Sequence, residues 1–220
     1  MCGRFVRDLA VAEIASEFEV EEPGFDIPPS YNVAPGQEIV TIINDGKKRL
    51  MSCKWGFIPS WSKDASAGYK MINARAETVS EKPSFRNAFR SGRILVIASG
   101  FYEWKREGKT KIPFHIYQKS ERPFGMAGLY SMWKSPEGKQ VCTCTIITTN
   151  ANSLLEPIHS RMPVIIRKQD EYTWLDRTEH DSRKLLHILG PFPSEEISYH
   201  SVSSAVNSPR NDSPDCIKPV

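Results

Sequence analysis

Nowhere in the 220 residues does an apolar run approach the roughly 20 residues that span a bilayer, so no membrane helix is expected. Residues 1–20 spread acids through their length and lack the central apolar block of a secretory signal. The expected location is therefore the cytoplasm, with the nucleoid inside it. There is no C-x2-C pair and no matching pair of histidines, which argues against zinc. No metal and no organic cofactor is expected. The five cysteines (Cys2, Cys53, Cys142, Cys144 and Cys216) are odd in number and widely spaced, so reduced thiols are expected rather than a disulfide framework. Internal repeats and regular βαβ alternation are also missing.

What is present is the composition of an ordinary soluble domain, 40% hydrophobic and 25% charged. A length of 220 residues supports one sizeable core and is short for two, so residues 1–220 are expected to form a single domain. The net charge of +3 is too small to imply a polyanionic partner, but its distribution is uneven. Residues 1–45 carry two basic side chains against nine acidic ones, while residues 63–111 carry eleven basic against five acidic. Trp61, Phe85, Phe89, Phe101, Tyr102 and Trp104 lie in or beside that basic stretch. Such a mixture suits gripping phosphates and stacking bases, and it equally suits a core flanked by solvated lysines.

The expected elements are mostly short strands. EIVTII (38–43) and the segment from Lys47 to Gly56 flank Asn44-Asp45-Gly46, whose residues tolerate positive φ, and together they read as a hairpin. Further strands are expected at 94–98, 101–105, 112–117, 124–130, 141–149 and 163–167, with a late one near 196–202. Asp8 is expected to cap an amphipathic helix carrying Leu9, Ala12, Ile14, Ala15 and Phe18. DEYTWLD and DSRKLLHIL also read as helical. The pattern predicts an α+β fold with a mainly antiparallel, barrel-like sheet and peripheral helices. In VCTCTIITT, Cys142 and Cys144 are expected on one face of a strand as small core residues.

The opening Met1-Cys2-Gly3-Arg4 carries the most chemistry. Removal of Met1 would leave Cys2 as a 1,2-aminothiol whose amine and thiol, with ordinary pKa values of about 7.7–8.0 and about 8.5, are both usable nucleophiles near neutrality. An amine condenses with an aldehyde to an imine, and the neighbouring thiol then closes a five-membered thiazolidine. The same opening suits an N-terminal-nucleophile hydrolase, such as a class II glutamine amidotransferase, in which the thiolate attacks an amide.

Three later segments supply further polar groups. Asn73, Arg75 and Glu77 alternate, so an extended backbone would line them on one face, ready for a sugar and its phosphates or simply for solvent. Gly100-Phe101-Tyr102-Glu103-Trp104 sets one carboxylate among three aromatics, where apolar surroundings raise its pKa towards acid/base use. A strand glutamate facing outward fits the same pattern. His159 stands just ahead of an apolar strand, as either a site residue or a structural one.

Taken together and in order, MCGRF, YNVAPGQ, KWGFIPSW, MINARAET, FRNAF, GFYEW, IHSRMPV and VNSPRNDSP resemble the SRAP family of abasic-site processing proteins across essentially the whole chain. The resemblance implies covalent capture of an abasic site in single-stranded DNA through Cys2, with autocatalytic loss of Met1 and a minor lyase activity. It implies that Asn73 holds the sugar remnant, Glu103 shuttles protons and His159 assists the opened sugar. Arg4, Arg75, Arg86 and Arg161 would contact phosphates. Trp61, Trp104 and the loop from Asn32 to Pro35 would stack on or wedge against bases. The expected partner is single-stranded DNA bearing abasic sites, met by a monomer. The last stretch, disordered on composition alone, is expected to be ordered on the strength of the resemblance.

Overall fold

Residues 2–21 and 23–220 are described by the computed structural model. Their strands, in chain order, are β1 (Phe5–Arg7), β2 (Ser30–Val33), β3 (Glu38–Asn44), β4 (Lys48–Trp55), β5 (Asn73–Arg75), β6 (Arg93–Ala98), β7 (Gly100–Glu107), β8 (Thr110–Gln118), β9 (Phe124–Lys134), β10 (Gln140–Asn150), β11 (Arg161–Pro163) and β12 (Ile197–Ser201). The α-helices are short: α1 (Val11–Glu17), α2 (Ala67–Lys70), α3 (Arg86–Ser91), α4 (Glu171–Leu175) and α5 (Ser182–Ile188).

Strand β10 is the hub. One edge pairs antiparallel with β9 (Cys144 opposite Tyr130) and then with β11 (Thr149 opposite Met162). The other edge pairs parallel with β4 (Cys144 opposite Trp55) and, further along, with β5 (Ile146 opposite Asn73). The path β10–β4–β3–β6–β9 returns to β10, so these strands close on themselves as the barrel-like expectation requires. A second sheet, β12–β8–β7–β1–β2, is antiparallel throughout. The α+β, mainly antiparallel class read from the pattern is the class observed.

Why ILVIA reads as a continuous apolar run is visible in the packing. Ile94, Val96 and Ala98 join one core, shared with Phe5, Phe101 and Ile116 of the second sheet. Leu95 and Ile97 join the other, shared with Val11, Ile14 and Phe18 of the α1 region and with Trp174 and Leu185. A strand covered on both faces cannot alternate with polar residues. Much of the basic, aromatic stretch is core as well: Phe85, Phe89, Phe101 and Tyr102 are buried. The buried Arg93 guanidinium donates to the carbonyls of Trp174, Phe89, Arg90, Asp176 and Glu179, tying α3, β6 and α4 together. It is thereby removed from any phosphate-binding surface.

Three expectations are corrected. Cys53 and Cys142 are joined in a disulfide with their Cα atoms 4.9 Å apart, whereas reduced thiols were expected throughout. The parallel β4–β10 pairing sets the two side by side, and that pairing is not readable from spacing. Cys2, Cys144 and Cys216 are free and buried. Asp8 does not cap α1: Ala10 holds the cap position, and its N–H donates to the Glu13 carboxylate at 2.7 Å. The strand expected over 163–167 stops at Pro163. Beyond it the chain continues as an isolated antiparallel bridge, Ile165 opposite Met126, made by Ile166 N–H to Gly125 O and Ala127 N–H to Val164 O.

Candidate active site

Cys2 lies on the run-in to β1. Phe5 pairs with Phe101, and the Tyr102 N–H donates to Arg4 O at 3.0 Å, so the ladder with β7 continues past the end of the strand. Following that register brings Glu103 level with Gly3 and beside Cys2. Cys2 is 0% exposed, in the core that also holds Trp55, Ile158 and Met162. Burial pushes its thiol up, and the charge of Glu103 adds to the shift, so the group is a thiol and not a thiolate.

Glu103 is 4% exposed. Burial raises its pKa above the usual carboxylate range, against the opposing charge of His159. Of the two readings open from GFYEW, burial among apolar neighbours and an outward-facing glutamate, the fold takes the first. His159 sits at the end of the turn that follows β10. His159 Nδ1 accepts from the Arg161 N–H at 3.0 Å and lies 3.2 Å from Arg161 O, so the Arg161 backbone fixes the orientation of the ring. Glu103 is therefore within electrostatic reach of both Cys2 and His159.

Asn73 opens β5, and the Ile146–Asn73 pairing fixes its position. The Ile72 carbonyl accepts from Ile146 N–H at 3.1 Å and from Trp55 Nε1 at 2.9 Å, so the backbone entering Asn73 is held twice. The Asn73 amide donates to Ile146 O at 3.5 Å, while its Oδ1 is buried with no partner. An orphaned acceptor of this kind costs about 1–3 kcal/mol, which a donor from a bound molecule would recover.

Asn73 and Arg75 alternate with buried Ala74 along β5, and exposed Glu77 follows buried Ala76 in the turn beyond the strand. Arg75 is exposed, as are Arg86 at the start of α3 and Pro35. Trp61 is 64% exposed and shares a groove of about 270 Å³ with Ser84 and Asn87. These four are sterically open to a ligand.

The other expected contacts are occupied by the protein itself. Arg161 grips both oxygens of Glu77 (2.5 and 3.0 Å), Asn150 Oδ1 (2.9 Å) and Thr148 O (2.6 Å). Its guanidinium holds Glu77 well below the usual carboxylate range. With both terminal nitrogens engaged, Arg161 positions His159 and the β5 face, and the expectation of a phosphate contact is revised. Arg4 likewise donates to Asn32 Oδ1 (2.6 Å) and Val206 O (2.8 Å). Asn32 is 0% exposed, and its amide donates to the carbonyls of Val206, Ser208 and Asn211. It fastens the C-terminal segment and does not wedge against a base. Trp104 is half-buried and donates to Asn207 Oδ1 at 2.7 Å.

Sequence reasoning thus missed the task that Arg4, Asn32 and Trp104 share. They anchor residues 206–211 against β2 and the middle of β7. Only the polar density of NSPRNDSP could have signalled it. Asn32→Ala should lower stability by about 1–3 kcal/mol, because it leaves three carbonyls and one Arg4 donor short of a partner. Thermal melting checks the size, and limited proteolysis should cut first after Val206. An unchanged melting temperature would mean that the segment is not fastened there.

Comparison with known proteins follows from this geometry. The family model for SOS response associated peptidase (SRAP) matches residues 1–209. The abasic site processing protein YoqW of Bacillus subtilis (strain 168) is 50% identical over 222 residues, which cover 99% of each chain. The abasic site processing protein HMCES of Gallus gallus is 33% identical, over 87% of this chain and 66% of that one. A crystal structure of a Bacteroides thetaiotaomicron protein superposes with a TM-score of 0.89 at 27% identity, over the whole of both chains.

Proposed function

The chain belongs to the SOS response associated peptidase (SRAP) family, and from that premise we propose that it processes abasic sites by capturing them covalently in single-stranded DNA. The observation that carries the proposal is that buried Glu103 lies within electrostatic reach of both buried Cys2 and half-buried His159, with the open acceptor of Asn73 on β5, a partner of the hub strand.

In the proposed sequence of steps Met1 is first removed, which frees the α-amine of Cys2; Met1 itself lies outside the described residues. The abasic deoxyribose is mainly a closed hemiacetal. Glu103, whose pKa burial raises, donates in its acid form to the ring oxygen as the bond to C1′ breaks, and the C1′ hydroxyl gives up its proton to solvent to leave the aldehyde. The Cys2 amine adds to that aldehyde and expels water, giving an imine. The thiol then adds across the C=N bond: sulfur bonds to carbon, its proton goes to nitrogen, and a thiazolidine results. Asn73 Oδ1 would accept from one of the opened sugar's hydroxyl groups, and the His159 ring would bond another. An imine at this sugar also permits β-elimination, so a weak strand-cleaving activity accompanies capture. We place the protein in the cytoplasm as a monomer acting on the nucleoid. Among the described residues no helix is long and apolar enough to cross a membrane.

Arg75, Arg86 and Trp61 are the groups proposed to meet the strand, since arginine binds phosphate without reading a base and an exposed indole stacks on any base. Arg75→Ala should weaken binding to all single strands alike and reduce the salt slope by about 0.7, one phosphate's worth of counterion release. Fluorescence anisotropy at several salt concentrations reads this directly. A loss confined to particular sequences, or an unaltered slope, would take Arg75 off the phosphate path.

Incubation with an abasic single strand, followed by heating and a denaturing gel, tests the function as a whole. Covalent capture leaves a shifted band. An amidohydrolase using the same Cys2, or a module that merely binds single strands, leaves the DNA running free.

A further inference from the structure

A second cavity, of about 430 Å³, lies on the outer face of the second sheet and is lined by none of the groups assigned above. Its walls come from β1, the start of α1, β8, β12 and the turn after β8. Three carboxylates line it, Asp8, Glu13 and Glu121, and no lysine or arginine does. Glu13 spends one oxygen on the Ala10 N–H. Glu121 reaches the rim from a left-handed backbone conformation (φ 56°), which non-glycine residues rarely adopt.

The floor is aromatic. The His115 ring is stacked on Tyr117 with centroids 5.3 Å apart and an interplanar angle of 20°, and His200 meets it edge-on at 5.4 Å. His115 is 7% exposed, and neither of its ring nitrogens has a hydrogen-bond partner. Its ring lies against Gly100: a Cβ at that position would stand 2.2 Å from His115 Nε2, so only glycine admits the imidazole there. Burial, and then His200, push the His115 pKa down to about 3, so its ring adds no positive charge at neutral pH. His200 Nε2 is bonded to Ile217 O at 2.7 Å.

Carboxylates on the rim, flat rings on the floor and no cationic lining are what an organic cation requires, through ion pairs at the edge and ring contacts below. Three acids in one cavity exceed what a single ammonium neutralises. The volume falls within the range of small-molecule sites. We propose that this cavity binds a small aliphatic polyamine, with its ammonium groups on Asp8, Glu13 and Glu121 and its methylene chain across His115 and Tyr117. The site stands apart from abasic-site capture, and its test does not depend on that reading.

Calorimetric titration of the full chain with spermidine, at about 0.15 M ionic strength, is the test. The proposal predicts saturable one-site binding, weakened at least about tenfold in Asp8→Asn and again in Glu121→Gln, as for loss of a charge-assisted hydrogen bond. Ring resonances of His115 and His200 should shift with spermidine and stay put with Mg2+. Glu121 is exposed and Asp8 half-buried, and thermal melts check that each variant is folded. Absence of saturable heat, equal binding by folded Asp8→Asn and Glu121→Gln, or displacement of spermidine by Mg2+ at matched charge would each overturn the proposal. The last of these would reveal an unspecific counterion surface.

Discussion

A chain that keeps Met1, or any tag ahead of Cys2, is expected to form no heat-stable adduct with abasic single-stranded DNA. An amide nitrogen in place of the α-amine cannot make an imine, so the defect should be complete and not graded. Cys2→Ala, with its own N-terminal Met removed, separates the two nucleophiles. It retains an amine and can still form an imine, which borohydride would trap, but no ring can close. The untreated, heated sample should therefore show no band, while the reduced sample shows one. Binding should barely change in either form, because the groups proposed to meet the strand, Arg75, Arg86 and Trp61, lie elsewhere on the surface. A tagged, uncleaved chain that captures abasic DNA at the normal rate would end the aminothiol account. A heat-stable adduct in unreduced Cys2→Ala would move the nucleophile to another side chain.

Glu103→Gln should slow capture by about 10²–10⁴-fold with DNA affinity nearly intact. Gln keeps the size and hydrogen-bonding capacity of the side chain in its buried setting but cannot give up a proton. The pH profile distinguishes proton transfer from packing. Burial raises the folded pKa of Glu103, so its acid form persists to higher pH than an ordinary glutamate's. The wild-type rate should fall as pH rises through that raised value, because the proton donor is lost there. On the acid side the rate falls because the α-amine is protonated. Glu103→Gln should lose the alkaline limb and keep the acid one. The same residue is proposed to serve in Met1 release, so intact mass must first establish that the variant has been trimmed. A trimmed Glu103→Gln that captures DNA at the wild-type rate, with both limbs preserved, would leave Glu103 as a structural strand residue.

The parts of this molecule that were readable beforehand are those whose signals are local. Asn44-Asp45-Gly46 marks the β3–β4 hairpin because it provides the conformations a tight turn needs, and Gly46 takes φ 112°. Asp181 was covered by the DSRKLLHIL helix and caps it through the N–H groups of Arg183 and Lys184. Alternation in residues 73–77 matches the burial of Ala74 and Ala76, although the extended backbone ends at Arg75 and Glu77 lies in the turn that follows. Three aromatic neighbours left Glu103 open between burial and an outward position, and the fold buries it.

What stayed hidden depends on partners far along the chain. Nothing near Cys53 or Cys142 indicates that β4 and β10 run parallel, 89 residues apart in sequence, and so the disulfide went unforeseen. Arg161 resembles a phosphate ligand until Glu77 is found 84 residues away with both oxygens on it. Asn32 resembles a loop residue until the carbonyls of 206–211 close over it. In each case a polar side chain that looked available was already satisfied by a distant backbone or carboxylate. Hydrogen-bond stoichiometry separates a positioning residue from a ligand contact, and it can be counted only on the folded chain.

The most direct test of covalent capture is the mass of the product. The protein is incubated with a short single strand carrying one abasic site, heated without reductant, digested with nuclease and protease, and the N-terminal peptide is weighed. Capture as proposed predicts a peptide beginning at Cys2, without Met1, heavier by the sugar remnant less one water, and no longer able to take up a thiol-alkylating reagent. A modified lysine elsewhere, or a Cys2 peptide of unmodified mass that still alkylates, would contradict the account.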